Sequence, residues 1–344
     1  LSSSQKNEDV DGRDKPGHDG EEIVLRRAFL FAAFALVASA SHALAQSYPS
    51  RPIKIVVPYA AGGSSDSLGR LISVGLTEAL KQPFVIENKG GAGGMIGSQQ
   101  VSKSAPDGYT LLFVDPSFMI QPGLQKLPYD PVKSFAKIAL VTNGPSAMVV
   151  HPSVPVKSVK ELIALAKQKP GQLIFGTAGL GSSAHLGTEL FQMMAHIQIM
   201  MVHYKGGGGA LIDALGGHNH AVIGSVVSLK PHIESGKLRG LGTTGTRRSA
   251  ALPQIPTIAE AGLPQFEVNQ YRGLLAPAGT PAPIVDRLND ELKFILASDD
   301  FKNLLLRDGS EPDYRSPADY DALIARETAR WASVIKTANL QVQK

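Results

Sequence analysis

The chain has 344 residues, of which 43% are hydrophobic and 19% charged, so it can form a folded core and is long enough for two lobes. It has no cysteine, which excludes disulfides, thiolate catalysis and cysteine-ligated metal sites. Its 34 basic and 30 acidic side chains are dispersed, without the basic clusters and interleaved aromatic residues of a nucleic-acid-binding surface. We therefore expect no nucleic-acid partner.

The N-terminal residues predict export from the cytoplasm. Arg26-Arg27 precede an apolar run over residues 28–38, and Ala43-Leu44-Ala45 follows as an A-x-A cleavage motif. The apolar run is shorter than the roughly 20 residues that span a bilayer, so a retained membrane anchor is the weaker alternative. We expect residues 23–45 to be a signal peptide that is cleaved after Ala45, which places the protein in the periplasm.

Residues 1–22 fit neither a signal peptide nor a fold, because they are polar and rich in Asp, Glu, Gly and Lys. They would also place the positively charged start of the signal peptide far into the chain. We interpret them as an upstream segment that is not part of the native protein, whose translation would begin near Ile23 or Val24.

The first part of the remaining chain alternates strands and helices. The predicted elements are, in chain order, a strand over 53–58, a helix over 66–81, a strand over 83–87, a helix over 95–105 and a strand over 109–114. This order is typical of a parallel sheet with right-handed crossovers. Two further apolar runs, 137–142 and 146–151, are predicted to be strands that cross between two lobes.

The second part repeats the alternation. Its predicted helices are 158–169, 183–195, 208–215 and 228–235, and its predicted strands are 172–175, 200–204, 220–224 and 238–243. A strand over 268–276 is expected to cross back. Helices near 281–297, 299–307 and 316–338 are then expected to pack on the first lobe.

The sequence therefore predicts an α/β fold of two lobes, each a mostly parallel sheet flanked by helices, with two crossing segments between them. We expect lobe 1 to comprise residues 46–147 and 272–344, and lobe 2 residues 148–271. Ligands of open α/β sheets bind at the carboxyl ends of the strands, and a cleft between lobes is the default site.

A Gly/Ser-rich turn follows the first strand, at Gly62-Gly63-Ser64-Ser65. A helix N-terminus carries partial positive charge and unpaired N–H groups, and glycine lets a ligand approach the backbone. We expect the N–H groups of residues 61–65 to point at an anion, with Ser64 or Ser65 donating a hydroxyl. Asp66 is expected to order the turn, because a buried acid that faced an anion would repel it; an N-cap role for Asp66 belongs to the alternative reading. The alternative is a flexible connection with no ligand.

A second turn of the same design lies about 120 residues later, between Thr177 and His185. Thr177, Ser182 and Ser183 are candidate hydroxyl donors around its two glycines. A capping loop without a ligand is again the alternative. The turn also matches a relaxed G-x-G-x-x-A dinucleotide motif, but an acid is expected about 20 residues on, where His203-Tyr204-Lys205 stand instead.

Catalytic and metal-binding interpretations are weaker. His185 lies near two serines, yet there is no G-x-S-x-G elbow, so we favour a hydrogen-bonding histidine on the cleft wall over a hydrolase. His218-Asn219-His220 has no apparent third metal ligand and is read as a solvated turn. The chain has no P-loop motif. We interpret the glycine runs 90–94 and 206–209 mainly as loops, and only secondarily as parts of a binding site. We expect no catalytic residue, metal or cofactor.

Several motifs, in order, resemble one known family. The chain is similar to the exported solute-binding proteins of tripartite tricarboxylate transporters, the Bug or TctC-like family, from about Tyr48 to near its C-terminus. The residues that carry the resemblance are Tyr48–Ile53, Val57–Asp66, Glu87–Gly94, Ala105–Leu112, Leu127–Pro131 and Ala276–Pro281.

The resemblance implies a periplasmic-binding-protein fold of the type II kind that closes on a carboxylate, which the two turns hold partly through ordered water. With it, we expect the ligand-binding residues to be Tyr59, Ala61, Gly62, Gly63, Ser64, Ser65, Asp66, Ser117, Thr177, Ala178, Gly179, Ser182, Ser183, His185, Ser225 and Arg272.

Departures from the family pattern concern the ligand. Gly224-Ser225 stand where the family often has Asp-Asn, and Tyr271-Arg272 stand where it commonly has Trp or Phe. Losing an acid and gaining Arg272 should make the pocket more cationic. If Arg272 faces the cleft, it could pair bidentately with a second carboxylate.

The sequence thus predicts a monomeric periplasmic protein that binds a small organic mono-, di- or tricarboxylate, performs no chemistry on it and delivers it to integral membrane transporter subunits. A ligand-sensing partner of a sensor kinase ectodomain is the alternative, and an exported α/β hydrolase is a more remote one.

Overall fold

The computed structural model describes residues 48–307 and 310–340. The predicted signal peptide and the segment 1–22 lie outside the described residues. No helix in the described part is long and apolar enough to cross a bilayer.

The strands follow the apolar runs of the sequence closely. Within the described residues they are β1 Ile53–Val57, β2 Phe84–Asn88, β3 Thr110–Val114, β4 Phe135–Thr142, β5 Ser146–Val150, β6 Ile174–Thr177, β7 Met200–His203, β8 Ala221–Ser225, β9 Arg239–Thr243, β10 Arg272–Pro277 and β11 Pro312–Arg315. β11 was not predicted, because its four residues have no alternation of apolar and polar side chains.

The helices also follow the predicted periodicity. They are α1 Ser64–Leu80, α2 Met95–Ser102, α3 Ser117–Leu124, α4 Val159–Gln168, α5 Ser183–Ala195, α6 Gly207–Leu215, α7 Val226–Glu234, α8 Ala282–Ala297, α9 Asp299–Arg307 and α10 Pro317–Thr337, with a short 3₁₀ turn at Ala92–Gly94. α3 was not predicted, because Pro122 lies inside it and proline in a sequence normally ends a helical pattern.

The strands form two sheets. The first sheet has the order β11-β4-β10-β3-β1-β2, and the second has the order β7-β6-β8-β5-β9. β1 pairs in parallel with β2 and β3, and β6 pairs in parallel with β7 and β8, as the alternating pattern predicted. The described chain therefore has the α/β architecture expected from the sequence.

Both sheets are mixed, although most strands of each run in one direction. β10 lies antiparallel between β3 and β4 in the first sheet, and β5 lies antiparallel between β8 and β9 in the second. β5 and β10 are the first strands that the chain forms after it passes from one sheet to the other. They enter without a crossover helix, which is the connection that a parallel neighbour requires.

The core of the second sheet extends onto two helices that follow strands of the first. Ile120 and Leu124 of α3, with Trp331 and Ile335 of α10, belong to the same buried apolar cluster as Phe175 and Phe191. α10 also packs on α3 and β4. The last helix, expected to pack on the first lobe alone, therefore spans both.

The two crossing segments lie side by side. The Gln270 N–H donates to Gly144 O at 2.8 Å, and Pro145 forms an isolated bridge with Asn269. The Thr244 N–H donates to Ser146 O at 2.9 Å, which extends the pairing. The chain thus passes between the sheets twice at one place.

Packing at β10 leaves no room for a side chain at Gly273. A β-carbon there would lie 2.5 Å from Tyr320 Cζ and 2.6 Å from the backbone oxygen of Ala139. We expect Gly273→Ala to lower the free energy of unfolding by about 1–3 kcal/mol, measured by urea denaturation, because the backbone must shift. Gly208→Ala is the matched control. It lies inside α6 with open space around it, and it should gain about 0.5–1 kcal/mol.

Candidate functional site

The first Gly/Ser-rich turn joins β1 to α1. Gly63 is the N-cap of α1, and no side chain caps this helix end. Ala61, Gly62 and Gly63 are exposed, and Ser64 is half-buried. An uncapped helix N-terminus with an exposed glycine turn is suited to binding an anion, because its first N–H groups need acceptors.

Asp66 holds this turn in shape. Its carboxylate accepts the Gly62 N–H at 2.9 Å and pairs with Arg70 Nε at 3.1 Å. Burial raises the pKa of Asp66, but the hydrogen bonds from Gly62, Arg70 and Asn88 outweigh it, so the pKa is lowered overall. The Gly62 N–H therefore bonds within the turn, whereas the sequence predicted that it would point at the ligand.

A second acid, Asp115, lies just beyond the carboxyl end of β3. It accepts the Ser65 hydroxyl at 3.2 Å and the Ser117 N–H at 2.9 Å, and so joins the first turn to the start of α3. The hydroxyl of Tyr59 is buried nearby. Burial, followed by the charge of Asp115, raises the pKa of Tyr59 well above its ordinary value. We did not single out Asp115 from the sequence, although its position directly after a strand was a usable signal.

The second turn, between β6 and α5, is held by its own hydrogen bonds. The Ser182 hydroxyl donates to Gly179 O at 2.7 Å and accepts the His185 N–H at 3.2 Å as the N-cap of α5. Thr177 is fully buried, and its hydroxyl bonds to His203 Nδ1 at 2.8 Å. The Gly181 N–H donates to His185 Nδ1 at 3.1 Å. Thr177, Ser182 and His185 therefore support the turn, whereas Ser183 lies at the front of the helix.

The strand that leads into β10 connects the two turns. Arg272, which is 6% exposed, donates from Nη2 to Ser64 Oγ at 3.1 Å. Gln270 lies two residues earlier and donates from Nε2 to Ser183 Oγ at 3.1 Å and to Ser146 Oγ at 3.0 Å. The first residues of α1 and α5 are thus tied to two side chains of one short segment, residues 270–272, so the turns belong to a single candidate site.

Two more predicted residues lie around this connection. Ser225, at the end of β8, is paired in register with Ser146, the other partner of Gln270. Ala178 is half-buried, and its Cβ lies 4.0 Å from where a β-carbon at Gly207 would stand. Gln270 was missed in the sequence analysis, although it lies only two residues before Arg272, which was predicted.

Helix α3 contacts the second turn directly. A β-carbon at Gly181 would lie 2.7 Å from Leu124 Cδ1 and 3.0 Å from Gln121 Nε2, and one at Gly93 would lie 2.1 Å from Gln121 Nε2. Gln121 is buried between glycines of two different loops. Only glycine allows this approach, so Gln121 closes one side of the site.

The described residues include no group of three or more His, Cys, Asp or Glu side chains that could hold a metal ion. His220 Nδ1 accepts the Ile174 N–H at 2.9 Å, which gives that histidine a role in the sheet.

The first turn should depend on the charge of Asp66. We expect Asp66→Ala to lower the free energy of unfolding at pH 7 by about 1.5–3 kcal/mol, because removing the carboxylate breaks its charge-assisted hydrogen bonds. The pKa is lowered in the folded state, so this stabilisation is present above about pH 4 and is lost as the pH falls through the lowered pKa. Urea denaturation at pH 7 and pH 3 measures the difference. The exposed Glu78→Ala on the same helix is the control and should change stability by less than about 0.5 kcal/mol.

Comparisons with known proteins identify the family of this chain. Residues 68–340 match the family described as "Tripartite tricarboxylate transporter family receptor". Protein BugT of Bordetella pertussis is 37% identical over 302 residues, which cover 87% of this chain and 93% of BugT.

Solved structures show the same fold. R. palustris Rpa4515 with adipate is 38% identical, with a TM-score of 0.80 over 85% of this chain and 99% of that chain. MatC from Rhodopseudomonas palustris with bound malate is 31% identical, with a TM-score of 0.76 over 84% of this chain and 100% of that chain. The periplasmic binding protein BugD is 33% identical, with a TM-score of 0.77 over 86% of this chain and 100% of that chain.

The predicted two-lobed fold of periplasmic binding proteins is confirmed by these neighbours. The family indicated by the sequence motifs is confirmed by a match that spans most of the chain and by relatives more than 30% identical over nearly their whole length. The chain belongs to the tripartite tricarboxylate transporter receptor family.

Proposed function

We propose that this protein captures a small organic dicarboxylate in the periplasm and delivers it, unaltered, to the membrane subunits of a tripartite tricarboxylate-type transporter. The observation that carries the proposal is the pair Gln270 and Arg272, which tie the starts of α5 and α1 to one strand. One ligand in contact with that strand would therefore be within reach of both turns.

The first turn and the adjacent Arg272 are together suited to a ligand with two negative charges. One carboxylate would be bound by the uncapped N-terminus of α1, and the other would pair with the guanidinium of Arg272. A charge-assisted hydrogen bond contributes about 1.5–3 kcal/mol, whereas binding loses roughly 4–15 kcal/mol of freedom. Contacts from both turns are therefore needed, and ligand should favour the closed arrangement.

The neighbours support this ligand class. Adipate in the R. palustris Rpa4515 structure and malate in the MatC structure each carry two carboxylates. Both proteins are more than 30% identical to this chain across more than 80% of it. We carry over the ligand class from these neighbours, not an individual acid, because Arg272 departs from the family pattern.

The hydrogen bonds around the second turn support binding over catalysis. His185 Nδ1 accepts a backbone N–H, and the hydroxyl of Ser183 accepts from Gln270. A hydrolase would need a serine hydroxyl to donate to this imidazole, but the Ser182 hydroxyl donates to Gly179 O and the Nδ1 lone pair of His185 is already taken by the Gly181 N–H. We expect the protein to act as a monomer that hands its ligand to the transporter without turnover.

The experiment combines ligand identification with a matched pair of acids. Mass spectrometry of acids released from gently purified protein should find a dicarboxylate. Calorimetry with adipate and with hexanoate, which differ by one carboxylate, should show a preference for adipate. We expect Arg272→Gln to reduce the ratio of the two affinities by about 10- to 100-fold, because the second carboxylate loses its charged partner.

Arg248→Gln is the control, since Arg248 is exposed and paired with Glu260. It should leave both affinities unchanged. An Arg272→Gln variant that weakens adipate and hexanoate equally would reject the dicarboxylate assignment. A wild-type protein that releases no acid and binds no carboxylate would reject the proposed function itself.

A further inference from the structure

Both glycine turns use the same hydrogen-bonding device. In each, a glycine with a left-handed φ donates its N–H to a side chain four residues later. Gly62 (φ 79°) donates to Asp66, and Gly181 (φ 76°) donates to His185. The acceptors differ in one respect. A carboxylate remains an acceptor through mild acid, whereas an imidazole nitrogen stops accepting once it takes up a proton.

The contact with Gly181 determines the protonation state of His185. A backbone N–H can only donate, so Nδ1 of His185 carries a lone pair and the ring is neutral, with its proton on Nε2. That nitrogen lies 3.6 Å from Glu189 Oε1. His185 itself is 2% exposed, so no solvent molecule can readily replace the lost acceptor.

A second imidazole supports the other end of the turn. Thr177 Oγ1 accepts the Gly179 N–H at 3.4 Å and bonds to Nδ1 of His203 at 2.8 Å, as donor or as acceptor according to the tautomer of that ring. The rings of His185 and His203 meet edge to face, with centroids 4.7 Å apart. His203 is exposed on β7, so protons from the medium can reach the pair.

The surroundings of His185 contain few titratable groups. The titratable groups that face His185 within the described chain are Glu189 on the same helix and His203 on β7. The neighbouring strands β6 and β8 contain no titratable residue, and Gly181 meets only Gln121 and Leu124 of α3. The segment that contains Val268 packs against Gly187 of α5. Its acidic residue, Glu267, accepts a hydrogen bond from Asn269. Partial burial, followed by the nearby His185, lowers the pKa of His203 against the opposing effect of Glu189.

We propose that His185 is a positioning residue that holds the second turn in its ligand-binding shape only while its ring is neutral, so that acidification releases the ligand. A proton on Nδ1 of His185 would place two hydrogen-bond donors, this N–H and the N–H of Gly181, opposite each other. The turn would then open at the start of α5, where Ser183 is tied to Gln270. Two charged rings in edge contact would also repel each other.

The direction of the pH effect follows from the need for a neutral His185 ring. Affinity should be highest at neutral pH and above, and it should fall on acidification, because a protonated Nδ1 of His185 can no longer accept the Gly181 N–H. Asp66 keeps its charge in mild acid, because its pKa is lowered from an already acidic value. The loss should therefore come from the second turn, with the first turn intact.

The first arm of the test needs no ligand. Nitrogen NMR of the purified, isotope-labelled protein should show a through-hydrogen-bond coupling between the Gly181 amide nitrogen and Nδ1 of His185 at pH 7.5. We expect this coupling to disappear as the pH is lowered to 5.5, together with increased hydrogen exchange of the amides of residues 179–185. A coupling that persists unchanged at pH 5.5 would overturn the proposal.

The second arm rests on the proposed function and uses adipate as the probe in calorimetry at pH 7.5 and pH 5.5. Adipate takes up protons itself in this range, so each profile is compared with that of His185→Asn. Asparagine places an acceptor near the position of Nδ1 but does not titrate. The wild type should lose about tenfold more affinity than His185→Asn over this range.

Two further variants complete the design. His185→Ala, which removes the acceptor, should bind adipate more weakly than His185→Asn at pH 7.5. His196→Asn, at the exposed C-cap of α5, should show the wild-type profile, because asparagine tolerates the left-handed φ there. A His185→Asn profile as steep as that of the wild type would overturn the proposal. If adipate does not bind at any pH, the proposed ligand fails and the NMR arm alone decides.

Discussion

The site depends on the strand that enters β10 as the chain returns to the first sheet. Gln270 and Arg272 lie two residues apart in this segment, and each side chain reaches the first residue of a different helix. Buried polar groups cost free energy unless they are hydrogen-bonded, so this strand must stay in register with both turns. The backbone bond from Gln270 to Gly144 fixes that register beside the first crossing segment. Ligand binding and the passage of the chain between the sheets are therefore linked at one place.

The two turns share a design but differ in electrostatics. A left-handed glycine donates to Asp66 in one turn and to His185 in the other, at the same spacing along the chain. The first acceptor is charged and fixed by Arg70, and the second is neutral and lies against another imidazole. In both turns the internal hydrogen bonds shape the loop, while the start of the helix remains for the ligand. Preorganisation of this kind reduces the ordering that binding must supply.

Most secondary structure was predictable because strands and helices have different apolar periods. The helix over 183–195 was predicted with its observed bounds, and β1, β3 and α1 differ from prediction by one or two residues at an end. The two glycine turns were also found, since a strand, a Gly/Ser run and a helix follow one another directly. The missed elements lacked such a signal. Pro122 interrupts the pattern of α3, and β11 is a short, polar edge strand.

The sequence by itself determined the fold class, the two turns and the family, because each is encoded in local periodicity or in short motifs. Only the tertiary structure showed which hydroxyls hold a turn in shape and which contact the segment 270–272. Thr177 is turned towards His203, and Ser183 towards Gln270. It also revealed Asp115 and Gln121, which contact Ser65 and Gly181 across long stretches of the chain. Contacts of that separation are created by chain crossings and sheet order, which no local pattern encodes.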